Sequence, residues 1–174
     1  QLTWTNGLLL TSEPLLWASG GDTMPRSGQS IQIQLKHLTA LVGAGLCHLD
    51  NRPAAQYSLP TQIDCSDSIL LSESCGPLIE QIGGAGLEPA RSLLTWTGDR
   101  NFYHGFRAFW SLDDLKPETP PETMEFEQWR LRWSPDHEIH SQEGRVDFKR
   151  LPEASRPLAD RVPQDYLLND SVEN

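Results

Sequence analysis

Thr3, Gln34, Asp64 and Thr95 recur at intervals of about thirty residues, and stacked as a column they pose the first chemical question. One carboxylate in such a column cannot surround a hard cation that takes six to eight oxygens. Nor does it supply the acid and base pair that glycoside hydrolysis needs. A second column reads Asn6, His37, Asp67 and, after a one-residue shift, Asp99. Neighbouring His37 and Asp67 have the residue types of an acid/base dyad. The favoured reading is a solvated ladder of turn residues, because Asn and Asp tolerate turn geometry.

The densest mixture of charge and aromatics runs from Gly98 to Arg107. In it Asp99, Arg100, Tyr103, His104 and Arg107 have the chemistry of a ligand patch, with Arg giving bidentate bonds and Tyr an amphipathic ring. The competing and preferred reading is a structural corner that closes the last regular repeat. Arg26, Arg52 and Arg91 each have a Pro within two residues and fall one in each of three loops, where a guanidinium fork could engage carboxylates. His137-Glu138-Ile139-His140 lacks the i, i+4 spacing of a metal-binding helix and follows Pro135, so it reads as a surface loop. No catalytic residue, metal site or cofactor is assigned. Cys47, Cys65 and Cys75 show no Cys-x-x-Cys spacing and read as buried thiols acting as small hydrophobes.

These columns exist because the chain repeats. Leu2-Thr3-Trp4-Thr5 returns as Leu94-Thr95-Trp96-Thr97, with weaker copies around Leu35 and Cys65. A period near thirty signals stacked units. Within each unit apolar residues alternate at i, i+2, as in Ile33 and Leu35, and Gly, Pro, Asn or Asp interrupts every segment. Three short strands per unit follow, which is one coil of a β-solenoid. The register predicts Trp4, Leu35, Cys65 and Trp96 as one inward column at strand spacing, about 4.8 Å per step. Loops Gly20 to Ser30, Asp50 to Thr61 and Gly83 to Ser92 should leave from one side. The coils span 1–112. An acidic, Pro-rich linker, a short helix from about Pro121 to Trp133 and an irregular cap with strand fragments Val146-Asp147-Phe148 and Tyr166-Leu167-Leu168 fill 113–174.

A net charge of −10 from 14 basic and 24 acidic residues disfavours nucleic acid and anionic membranes as partners. No run reaches the roughly 20 apolar residues of a membrane span. Nothing before Leu2 is long enough to cover the first coil, so Gln1 is expected not to be the natural start of the fold. Self-association through the open N-terminal coil edge is expected as well.

Asn101-Phe102-Tyr103, Phe126-Glu127-Gln128-Trp129, Ser134-Pro135-Asp136 with His140-Ser141, Val146-Asp147-Phe148 and Asp165-Tyr166-Leu167-Leu168 occur in an order that resembles the closing segment of pectate-lyase-like, right-handed parallel β-helices. The resemblance covers about Leu94 to Ser171 and departs at Ser171-Val172, where the family has a Pro step. It implies an all-β fold: a right-handed parallel β-helix of three to four coils with a short C-terminal helix. The enzymes of that fold use several carboxylates with Ca²⁺ and an Arg base, or a trio of Asp, and the columns above hold neither. The coils are also similar to β-helical regions that follow kinase or protease domains in bacterial surface proteins. The expectation is a non-catalytic binding or spacer module of a secreted or envelope-exposed bacterial protein, engaging carbohydrate or protein through its loop side. The alternatives are a fragment of a polysaccharide lyase or hydrolase, and the extracytoplasmic sensor region of a membrane-anchored serine/threonine kinase.

Overall fold

Alternation of apolar and polar side chains leaves a strand one dry side and one wet side, and stacking such strands in parallel buries the dry sides together. The fold comes from a computed structural model that describes residues 1–51, 57–83, 91–133, 136–150, 152–153 and 155–169. Its strands are β1 (Leu2–Thr11), β2 (Leu16–Ser19), β3 (Ile31–Val42), β4 (Cys47–Asp50), β5 (Thr61–Ser66), β6 (Ile69–Ser72), β7 (Pro77–Ile82), β8 (Leu94–Asp99), β9 (Phe102–His104) and β10 (Ala108–Asp113). After them come β11 (Glu122–Met124), helix α1 (Phe126–Trp133) and β12 (Gln142–Glu143).

These strands form a β-solenoid of about three turns with three sides. The first side stacks the start of β1, the start of β3, β5 and β8 in parallel. The second stacks the ends of β1 and β3 with β6, β9 and β12. The third stacks β2, β4, β7 and β10 in parallel, with β11 added antiparallel. Where the chain turns from the first side to the second, Asn6, His37, Asp67 and Arg100 each adopt positive φ, from 51 to 57°. One left-handed residue per rung makes that corner.

The interior is a continuous apolar column in which Ile33, Leu35, Ile63, Cys65, Leu70, Leu78 and Trp96 are almost fully buried. Full burial of each aliphatic side chain contributes about 2 kcal/mol, and no single rung offsets the entropy of ordering its own residues. The far end is closed by α1. Its Trp129 meets Trp96 edge-on at 5.1 Å, and its Trp133 stacks on Trp110 at 5.8 Å. Beyond it, Val146, Phe148 and Tyr166 of the tail pack over Leu41 and Leu71 on the outside of the second side. Arg161 ties this tail to Glu73 at 2.7 Å.

The register departs from the sequence reading in the last rung. Trp4, Leu35 and Cys65 do stack, but Trp96 lies opposite Ile63 and Gly98 lies opposite Cys65. The interval there lengthens to 33 residues, as between Ser68 and Asn101. A Cβ at Gly98 would collide with the Cys65 carbonyl, so only glycine fits where Asn101 and Glu138 also crowd in. The same shift puts Thr97, not Thr95, beside Asp64, and Arg100, not Asp99, at the corner.

The helix starts at Phe126 rather than Pro121, because Glu122–Met124 is drawn into the sheet as β11 against Leu112–Trp110. In the tail, Phe148 and Leu168 form an isolated antiparallel bridge, while Pro163–Tyr166 is a 3-10 turn rather than the start of a strand. Cys47 and Cys65 are buried, whereas Cys75 sits at a positive-φ turn and is exposed. Burial alone accounts for the Cys47 thiol being pushed far above its ordinary value. For Cys65 burial comes first, with Glu138 adding to it.

Candidate functional site

The outward residues of the first side form a regular polar floor. Across the rungs one row reads Thr3, Gln34, Asp64, Thr97, the next Thr5, Lys36, Ser66, Asp99, and a third Gln32, Gln62, Thr95. Side chains along a strand that share a side are about two residue rises apart, and rungs repeat at about 4.8 Å. Over this floor lies a shallow groove of about 370 Å³, lined by Gln32, Gln34, Gln62, Asp64, Thr95 and Thr97. A second groove of about 230 Å³ runs over Thr3, Thr5, Lys36 and Ser66. Amides and hydroxyls both donate and accept hydrogen bonds, so the floor has the chemistry to hold a polymer rich in hydroxyl or amide groups.

A ladder of charge borders the floor at the corner. Arg100 donates from Nε and Nη2 to both oxygens of Asp67, at 2.6 and 3.1 Å. His37 Nε2 stands 3.7 Å from Asp67. Asp99 accepts the backbone N–H of His140 at 2.8 Å and pairs with its ring Nδ1 at 2.7 Å. The Arg100 hydrogen bond holds the Asp67 carboxyl below its ordinary range and lifts Arg100 in turn. Partial burial pushes Asp99 up, yet the hydrogen bonds from His140 outweigh it and the carboxyl ends below its ordinary value. With both oxygens of Asp67 committed to Arg100 and His37 beyond hydrogen-bond reach, this is an ion-pair ladder rather than an acid/base dyad.

The residues singled out from the sequence are dispersed. Asp99 and Arg100 lie on that ladder. Tyr103 is fully buried, its hydroxyl donating to Glu138 at 2.8 Å, so its ring is not a platform for a ligand. Burial first, and then Glu138, raise its phenol well above the ordinary value. His104 is half-buried with Nδ1 2.8 Å from the Gly144 carbonyl, and Arg107 is exposed. Arg26 is exposed, while Arg91 pairs with Glu122 on β11. Arg52 lies outside the described residues, as does part of two of the three loops.

Glu138 is the exception to the surface-loop reading of its segment, whose Ile139 and His140 are exposed. It is 0% exposed and its Oε1 accepts hydrogen bonds from Trp96 Nε1, Tyr103 Oη and Asn101 Nδ2. Asn101 also accepts the Ser68 backbone N–H and donates to the Cys65 carbonyl, so the Asn101 to Tyr103 stretch serves as a structural corner of the last rung.

A constellation that the sequence reading missed lies on the third side. Trp17, His48 and Glu80 are register partners on β2, β4 and β7. His48 Nδ1 is 2.8 Å from Glu80 Oε2, and the Trp17 ring leans on the imidazole with centroids 4.3 Å apart. His48 Nε2 is buried without a hydrogen-bond partner, a state that costs about 1–3 kcal/mol. The intervals between these residues, 31 and 32, are close to the chain's own period. Extending the repeat to its third strand would have found them.

Among the described residues no group of three or more His, Cys, Asp or Glu is placed to hold a metal ion, and no helix is long and apolar enough to cross a membrane. Fold and surface define the class: a parallel β-solenoid with a polar outer floor and a helix-capped end. No family model matches the chain, and no curated protein or solved structure does either.

Proposed function

We propose that this chain is a non-catalytic binding or spacer module that holds an extended hydroxyl-rich polymer, carbohydrate above all, along the first side of the solenoid. The observation that carries the reading is the polar floor itself. Its rows repeat at strand spacing, so a polymer lying across the rungs meets a polar, hydrogen-bonding side chain at each step, though the residue type changes from rung to rung. Lys36 and Asp64 are the only charged residues among those that line the two grooves, which favours a neutral ligand over an acidic one. Placement outside a bacterial cell belongs to this reading and rests on the resemblance of the closing segment.

The test is calorimetric titration with cellohexaose, xylohexaose and hexagalacturonate. Binding of a neutral oligomer, weakened roughly tenfold in a Gln34→Ala, Gln62→Ala double variant through loss of two hydrogen-bonding side chains, supports the reading. No binding at millimolar concentration sinks it. Calcium-dependent release of unsaturated products from pectin, abolished by Asp64→Asn, would show an enzyme instead.

Self-association is a second reading, supported by one observation. Strands β1 and β2 contain no Lys, Arg, Asp, Glu or Pro, and among the described residues each pairs along one edge, with their own Leu2 37% and Trp17 59% exposed. Edge strands commonly carry such residues to prevent pairing. Light scattering from micromolar to millimolar protein tests it, and a monomer throughout overturns it.

A further inference from the structure

The third side carries a site that the polar floor does not use. Trp17 is 59% exposed at its first rung, His48 at the next rung is 7% exposed, and Glu80 follows with about a third of its side chain exposed. The hydrogen bond from His48 Nδ1 to Glu80 Oε2 fixes the ring, and the indole covers part of it. That leaves Nε2 as a polar atom closed off from solvent with no hydrogen-bond partner among the described residues. Buried polar atoms are nearly always satisfied, so such an atom beside an exposed aromatic marks a place for an incoming hydrogen-bonding group.

The surroundings narrow the chemistry of that group. Ser111 also belongs to the column, but it is the register neighbour of Glu80 on the far side from His48, and among the described residues no hydroxyl or thiol is bonded to His48 Nε2, which argues against a hydrolytic dyad. The carboxylate of Glu80 and a net charge of −10 disfavour an anion. One imidazole nitrogen without further donors does not hold a metal. An apolar face next to hydrogen-bonding groups is the pattern of a sugar ring, which presents C–H bonds on one face and hydroxyls around its edge.

We propose that Trp17, His48 and Glu80 form a subsite for one unit of a neutral saccharide. The indole takes the C–H face. Glu80 accepts a hydroxyl through the oxygen not engaged by His48. As the indole tilts toward the sugar, His48 Nε2 gains the hydroxyl partner it lacks. The site is on a different side from the polar floor and stands or falls separately from it.

The experiment follows the indole N–H signals of ¹⁵N-labelled protein by NMR during titration with cellohexaose, with hexagalacturonate as acidic control. The Trp17 signal is assigned by its loss in Trp17→Phe. Saturable movement of that signal with cellohexaose, a roughly tenfold weaker Kd in Trp17→Ala, and weakening in Glu80→Gln at unchanged thermal midpoint are expected. His48→Asn, which keeps a donor near Nδ1 and removes Nε2, should weaken binding too. A Trp17 signal that does not move up to millimolar cellohexaose, or a Kd unchanged in Trp17→Ala, overturns the proposal. Weakening confined to the Gln34→Ala, Gln62→Ala variant also overturns it while supporting the first-side reading. The converse pattern supports this subsite and sinks the first-side reading.

Discussion

Glu138 accepts the indole N–H of Trp96 at 2.5 Å inside the closed end of the solenoid, joining a loop after the helix to the last regular rung. The same oxygen takes the Tyr103 hydroxyl, so a single carboxyl group satisfies donors that the core would otherwise bury unpaired. Replacing Glu138 with Ala strands those donors and opens a cavity. A loss of about 3 kcal/mol or more is expected, read as a lower urea midpoint at unchanged slope. A loss below about 1 kcal/mol would mean that water or a neighbour satisfies the donors equally well.

Leu35 stands between Trp4 and Cys65 in the inward column and is 1% exposed. Leu35→Asp buries a charge with no cation beside it, which should cost at least about 4 kcal/mol. Circular dichroism of the variant should show a protein unfolded or melting far below the parent. A normal melting curve would place this side chain at the surface.

The corner ladder should govern part of the acid response. Asp67 and Asp99 have folded values below the ordinary 3.8, so the stability they confer is fully present above that pH and is lost as the pH falls through their lower folded values. Thermal midpoints of the parent and Asp67→Asn, compared from pH 7 down to 2, should differ by a constant amount until about pH 4 and converge below it. A gap that stays constant to pH 2 removes the ladder from the account.

The three thiols should react unequally. Cys75 is exposed, while Cys47 and Cys65 are buried and held as thiols by desolvation. One equivalent of a thiol reagent should therefore add quickly to the native protein and three after denaturation. Mapping the first label to Cys47 or Cys65 would contradict the register of the core.

Much of the architecture was legible because it is periodic. The return of Leu2-Thr3-Trp4-Thr5 at Leu94, and the i, i+2 alternation around Leu35 and Cys65, specify stacked parallel strands. The residues Asn6, His37 and Asp67 mark the corner because each rung needs one left-handed residue there. Those are local requirements, and a sequence records local requirements directly. What tertiary structure decided lies where distant segments meet. Trp96 slipped by two residues because Gly98 makes room against Cys65 for Asn101 of the same rung and for Glu138, which arrives from outside the repeat. Glu138 reads as a surface residue in its own segment and becomes the buried acceptor for Trp96 only once α1 turns the chain back over the open end. Tyr103 is one residue of the competing ligand-patch reading and is instead the partner of that carboxyl. In each case the deciding force is the need to satisfy polar groups and fill space at the end of the core. No periodic pattern encodes that need, because it arises only where the repeat stops.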